Sequence, residues 1–240
     1  MKTFNLLLSS SAILFILLSV GCDRLGEAPR RNRGRVASPG TGSVKVVARV
    51  GDREITRDQQ AKMVNAYSKS MIRRGEEVPD DIKKMVLDLM IEGELLYLAG
   101  LDLKIDDLDG KVDTETRQLI EEFPSERAFA DNLALRGMTV AMLKEDLKRR
   151  VIIDHVLERE VFGRIKITDE EIEEYYNNAG TFQSPLQESR EEIIKILSAS
   201  RTPVLLDELI ERLKKKYPVE KMRTDSNQYS SGKEKIEGKE

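Results

Sequence analysis

The chain holds one histidine, His155, and one cysteine, Cys22. Those two counts bound its chemistry. A zinc-type centre takes three or four His, Cys or carboxylate ligands. A nucleophilic triad needs a histidine base that a further side chain orients. A lone histidine inside a helical stretch supplies neither, and its spacing predicts an ordinary helix-surface or core residue. Acidic residues come in adjacent pairs, such as Glu121-Glu122 and Glu170-Glu171. Pairs of that kind offset a helix dipole in the first turn or face solvent. No glycine-rich phosphate loop follows a strand. The residues therefore predict no enzyme, no metal, no cofactor and no small-molecule substrate.

Cys22 closes a different pattern. Lys2 supplies a positive charge, and Leu6 to Leu18 is a run without charge. That run is short for a membrane span, which takes about 20 apolar residues. Leu18-Ser19-Val20-Gly21-Cys22 resembles a bacterial lipobox, with Ser19 standing where the pattern prefers Leu. The resemblance implies a signal peptide over residues 1–21 and lipid on Cys22. The protein would then be a membrane-anchored lipoprotein on the periplasmic or cell-surface side of a bacterial membrane. Two or more acyl chains anchor stably, at about 0.8 kcal/mol per buried methylene. With no second cysteine there is no intrachain disulfide, so stability must come from the core.

Residues 22–43 are rich in Arg, Gly, Pro and Ser and nearly devoid of apolar side chains. Such a stretch cannot offset its ordering entropy and reads as a disordered tether. Its Arg30, Arg31, Arg33 and Arg35 are either solvated or meet anionic head groups. Residues 223–240 are polar, of mixed charge, and read as a disordered tail. Residues 44–222 remain as one folded unit, in which 30 Lys and Arg stand against 37 Asp and Glu, a net −7. An acidic body argues against nucleic acid as partner, since that requires a basic face.

Within this unit, Val44 to Val50 is β-branched and ends at Gly51-Asp52, a hairpin signal for a type II′ or similar turn. Thr56 and Gln59 form a capping box for a helix from about Arg57 to Arg74. Pro79 marks the start of a second helix to about Asp102, with Ile82, Val86, Leu89 and Leu96 on one side. Gly93 and Gly100 would weaken it unless they sit at close helix crossings. A third lies within Asp109 to Phe123. Ser125 caps a fourth, which Gly137 ends. Thr139 caps a long fifth whose Leu143, Leu147, Val151, Val156 and Val161 repeat near 3.6. Thr168 and Glu171 cap a sixth. Ser189 with Glu192 predicts a helix over 190–198, and Thr202 with Pro203 in the first helical position predicts another. Tyr217 to Met222 reads as a short strand.

The block from Phe123 to Tyr176, with its caps and stops, resembles the N-terminal chaperone domain of the SurA and PrsA foldases, and Val47-Ala48 to Ile55-Thr56 resembles the segment that leads into that domain. The resemblance implies a mostly α fold, a helical body whose N- and C-terminal ends join in a small β-hairpin or three-stranded sheet. It also implies an extracytoplasmic chaperone that holds unfolded or partly folded exported polypeptides. In that family a parvulin prolyl-isomerase domain follows the helix that ends here near Tyr176. Between Tyr176 and Arg190 there is no room for one. Methionine is flexible and polarizable and suits adaptable apolar surfaces, so Met63, Met71, Met138 and Met142 are candidate client contacts, with core packing as the alternative. The second functional reading is an assembly lipoprotein that docks one specific partner. Replacing Cys22 with Ala is expected to move the protein from the membrane to the soluble fraction. A Cys22→Ala protein that stays membrane-bound at unchanged mass would refute lipidation.

Overall fold

The structure, a computed structural model, describes residues 45–222. Two strands open it, β1 (Val46–Val50) and β2 (Arg53–Thr56). They pair antiparallel around Gly51-Asp52, with Val50 opposite Arg53. Gly51 has φ of +54°, a conformation that glycine enters without a Cβ penalty. A third strand, β3 (Val219–Lys221), pairs antiparallel with β1 in the order β2-β1-β3, with Ala48 opposite Lys221 and Val50 opposite Val219. Val47, Ala48, Val50 and Ile55 are buried. On the exposed side Arg49 bridges to Glu54 at 2.8 Å and to Glu220 at 3.8 Å, one cross-strand partner on each neighbour.

Seven helices follow among the described residues: α1 (Arg57–Arg73), α2 (Ile82–Leu101), α3 (Leu108–Glu121), α4 (Glu126–Leu135), α5 (Val140–Glu160), α6 (Asp169–Ala179) and α7 (Leu186–Lys216). The predicted caps of α1, α4, α5 and α6 are in place. The Thr56 hydroxyl accepts from the Gln59 N–H at 3.2 Å while the Gln59 side chain accepts from the Thr56 N–H at 2.8 Å. Thr168 and Glu171 repeat this box on α6, and Ser125 and Thr139 cap α4 and α5. At the end of α4 the Gly137 N–H donates to the Ala134 carbonyl and the Met138 N–H to the Leu133 carbonyl. This is the two-bond closure that a left-handed glycine permits, here at φ +70°.

The core lies between the sheet, α1, α2, α5 and α7, with Val86, Leu95, Ile153, Val156 and Leu209 among its most buried members. α2 is central and is buried on most sides, not on one stripe: Ile82, Val86, Met90, Ile91, Leu95 and Leu96 are all covered. Gly100 explains how α5 approaches it so closely. A Cβ at Gly100 would collide with the Ile152 Cγ2 and stand 3.0 Å from the Ile152 carbonyl oxygen. A smaller cluster of Val112, Leu147 and Val151 seats α3 on α5.

Two element boundaries differ from the sequence reading. Pro79 does not start α2; its carbonyl accepts from the Ile82 N–H at 3.1 Å in a preceding turn, and the helix begins at Ile82. The two helices expected over 190–198 and from Thr202 are one, α7, which runs 31 residues with Pro203 inside it. Ser189 is no cap: it is buried, and its hydroxyl donates to the Ser184 carbonyl. Thr202 also turns inward along the helix, its hydroxyl donating to the Ser198 carbonyl at 2.9 Å. An interior proline removes one helical hydrogen bond. Here α7 is held on both sides of it, by Arg201 pairing with Glu171 of α6 before it and by buried Leu209, Ile210 and Leu213 after it. Gly100→Ala is expected to lower stability by about 1–3 kcal/mol through overpacking against α5, read as a lower thermal midpoint. An unchanged midpoint would show that the α2–α5 crossing has slack.

Candidate functional site

A groove of about 860 Å³ opens where the sheet meets α1 and the start of α2. Val47, Val64, Leu87 and Met222 give it an apolar floor, and Arg57, Lys83, Lys84 and Lys221 stand around it. The Gln60 side chain donates to the Lys83 carbonyl at 2.8 Å and ties its two helical walls together. Lys221 reaches Asp88 of α2 at 2.5 Å, which fixes the end of β3 over the groove. The sequence reading did not single out these residues. A signal was present: Lys83-Lys84 occupies the first turn of α2, the end of a helix where its dipole disfavours cations.

The four candidate methionines are not gathered on one surface. Met63 is 1% exposed within the main core, a packing position. That placement is the core-packing alternative of its reading, because α1 turns this residue toward α2. Met71 is half-buried and packs on the same core near the end of α1. Met138 and Met142 are half-buried at the α4–α5 turn. Beside them Leu135 is 87% exposed, a large apolar side chain left in solvent at the end of α4. Cys22 and the leader, tether and tail residues 1–43 and 223–240 lie outside the described residues.

His155 is half-buried on α5 and lines an open depression of about 540 Å³ with Lys111, Glu115, Asp154 and Glu158. Among the described residues no group of His, Cys and carboxylates is arranged to hold a metal ion. Glu171 accepts the Thr168 N–H and pairs with Arg201, and these two partners, in that order, hold its carboxyl below the usual range. Glu94 of α2 is buried between two guanidinium groups, with Arg53 Nε at 2.5 Å and Arg149 at 3.1 Å. Both guanidiniums also lie over the Tyr97 ring, at 4.9 and 4.4 Å from its centroid. The carboxylate is thus committed to structure, joining β2, α2 and α5.

Asp146 is the exception to charge matching. It is 6% exposed on α5, and its Oδ2 has no hydrogen-bond partner. Burial pushes its carboxyl up to about 6, against the opposing pull of Arg149. Burial likewise raises Asp154 and Glu92. Between about pH 4 and 6 the folded state keeps a proton on Asp146 that the unfolded state has released, so stability falls as pH rises through that window. Above it the full cost of the buried charge remains, up to about 3 kcal/mol for a shift of this size. Asp146→Asn is expected to raise the thermal midpoint more at about pH 7.5 than at about pH 4.5. Equal gains at both would show that the Asp146 ionisation is not coupled to folding.

Comparison with known proteins places this geometry. A family model described as the SurA-like N-terminal domain matches residues 7–157, which takes in β1, β2 and the helices through most of α5. The foldase protein PrsA of Clostridium botulinum strain Langeland is 27% identical over 195 residues, covering 74% of this chain and 55% of that relative. The foldase protein PrsA of Clostridium acetobutylicum is 25% identical over 172 residues, covering 69% of this chain and 51% of that relative. The chain spans about half the length of the curated relatives it matches. With the family model covering more than half of its length, the chain belongs to the SurA-like N-terminal domain family.

Proposed function

We propose that this protein is a lipid-anchored extracytoplasmic chaperone that holds unfolded or partly folded exported polypeptides without isomerising prolines. The observation that carries the reading is the membership of the SurA-like N-terminal domain family together with relatives named foldases. The groove of apolar floor and the apolar tip of exposed Leu135 with half-buried Met138 and Met142 supply surfaces on which a client segment can lie. Flexible methionines and a broad, shallow recess suit varied partners better than a rigid aromatic socket would. Binding is then in the micromolar regime, about −8 kcal/mol at 1 μM, as a client must be released.

The absence of isomerase activity is supported by the connection between α6 and α7. It occupies residues 180–185 and is folded back on itself: Phe182 stacks on Tyr176 at 5.6 Å and meets Tyr175 edge-on at 6.2 Å. The Tyr176 hydroxyl donates to the Ser184 carbonyl at 2.9 Å. A parvulin domain would stand at this turn in the family arrangement that the sequence resembles. Anchoring through Cys22, with residues 22–43 as tether and residues 44–222 as the working body, is the arrangement that the lipobox-like segment supports. No helix among the described residues is long and apolar enough to cross a membrane.

The full chain is expected to slow light scattering by two or three unrelated, chemically unfolded proteins, and to leave prolyl isomerisation at its uncatalysed rate. Failure to protect any of them, with one tight partner recovered from cells by crosslinking, would replace the reading with that of a docking lipoprotein.

A further inference from the structure

The groove carries a charge opposite to that of the body around it. Residues 44–222 hold 30 Lys and Arg against 37 Asp and Glu. Yet Arg57, Lys83, Lys84 and Lys221 line the groove, and none of the side chains lining it is acidic. Asp88 of α2 is engaged by Lys221. Lys83 and Lys84 sit in the first turn of α2, directly after its N-cap Asp81, whose side chain makes no capping hydrogen bond and does not line the groove. Beneath this rim lie Val47, Val64, Leu87 and Met222.

We propose that this groove takes an apolar client segment flanked by carboxylates, an inference that rests on the client-holding function above. The apolar side chains enter the floor, and the flanking Asp or Glu groups meet Lys83, Lys84 and Arg57. The negative body repels acidic chains elsewhere, so the same charge pattern that admits such a segment also fixes where it binds. A chaperone built this way selects segments that combine an apolar run with acidic neighbours over equally apolar segments with basic neighbours.

Two short fluorescein-labelled peptides with the same Leu-Val-Phe-Leu core test this, one flanked by Glu and the other by Lys. Anisotropy is read with the full chain carried in neutral phosphatidylcholine vesicles, with empty vesicles as the blank. The Glu-flanked peptide is expected to bind about tenfold more tightly, the sum of a few exposed ion pairs. Lys83→Glu with Lys84→Glu, both at exposed positions, should invert the preference. Lys195→Glu, exposed on α7 and outside the groove, should not. Equal affinities that the double variant leaves unchanged, with aggregation of unfolded proteins still suppressed, would overturn the groove and leave the client-holding function standing. Loss of both binding and suppression in the unaltered chain would overturn the two together. Binding that appears only after truncation beyond Met222 would put the chain's own tail in the groove, and a change of sedimentation in the double variant would put a second copy there. Either result overturns the proposal.

Discussion

Glu94 lies on the central helix with 9% of its surface exposed, inside a body assembled from parts far apart in sequence. An uncompensated carboxylate at such a place costs several kcal/mol. α2 can therefore take its central position only when Arg53 arrives from β2 and Arg149 from α5, and both do, stacked against Tyr97. The three elements that carry these groups are the sheet, the middle of the core and the long helix that supports α3. One buried charge thereby makes their docking conditional on one another. Apolar contact alone would tolerate a slipped helix; a carboxylate shared between two guanidiniums does not.

The crossing of α2 and α5 shows the same economy of alternatives. Gly100 lets the helices touch at Ile152, one turn and a half beyond Glu94 on the same helix, so the ion cluster and the glycine contact set both position and distance for one pair of elements. The sheet is positioned in turn by Ile55 and Val50 on the core and by the Tyr217 hydroxyl, which donates to Asp102 at the end of α2 at 2.6 Å. The groove is what remains at the junction of these parts. Its walls are fixed by the core on one side and by β3 on the other, and its cations stand on the first turns of α1 and α2 and at the end of β3.

Much of this was legible in the chain. Caps speak locally: Thr56, Ser125, Thr139 and Thr168 each announce a helix through a hydrogen bond made within three residues, and each was found where it was read. The sheet was legible because β-branched runs and the Gly51-Asp52 turn are also local signals. What could not be read was anything decided by distant neighbours. Ser189 and Thr202 look like caps in isolation, yet packing of α7 against α6 and the core carries the helix through both of them and through Pro203. Met63 could not be told from a surface methionine until α1 had a partner. The groove escaped notice for the same reason, because its floor draws on Val47, Val64, Leu87 and Met222, residues that only the fold brings together.

The pairing of β1 with β3 has a bearing on how the molecule comes to be folded. Ala48 is matched to Lys221, so the sheet closes a loop that contains every helix among the described residues. A chain made N-terminus first exposes the apolar inner face of β1 and β2 long before the partner strand exists. The entropy of closing so long a loop must be met before the contact is rewarded. Hairpin and helices can form early and locally, but the last strand is a latch that shuts only when synthesis has passed residue 221. Until then the edge of β1 is open to pairing with other chains. A protein whose relatives are named foldases is itself, during its own birth, a candidate for such help.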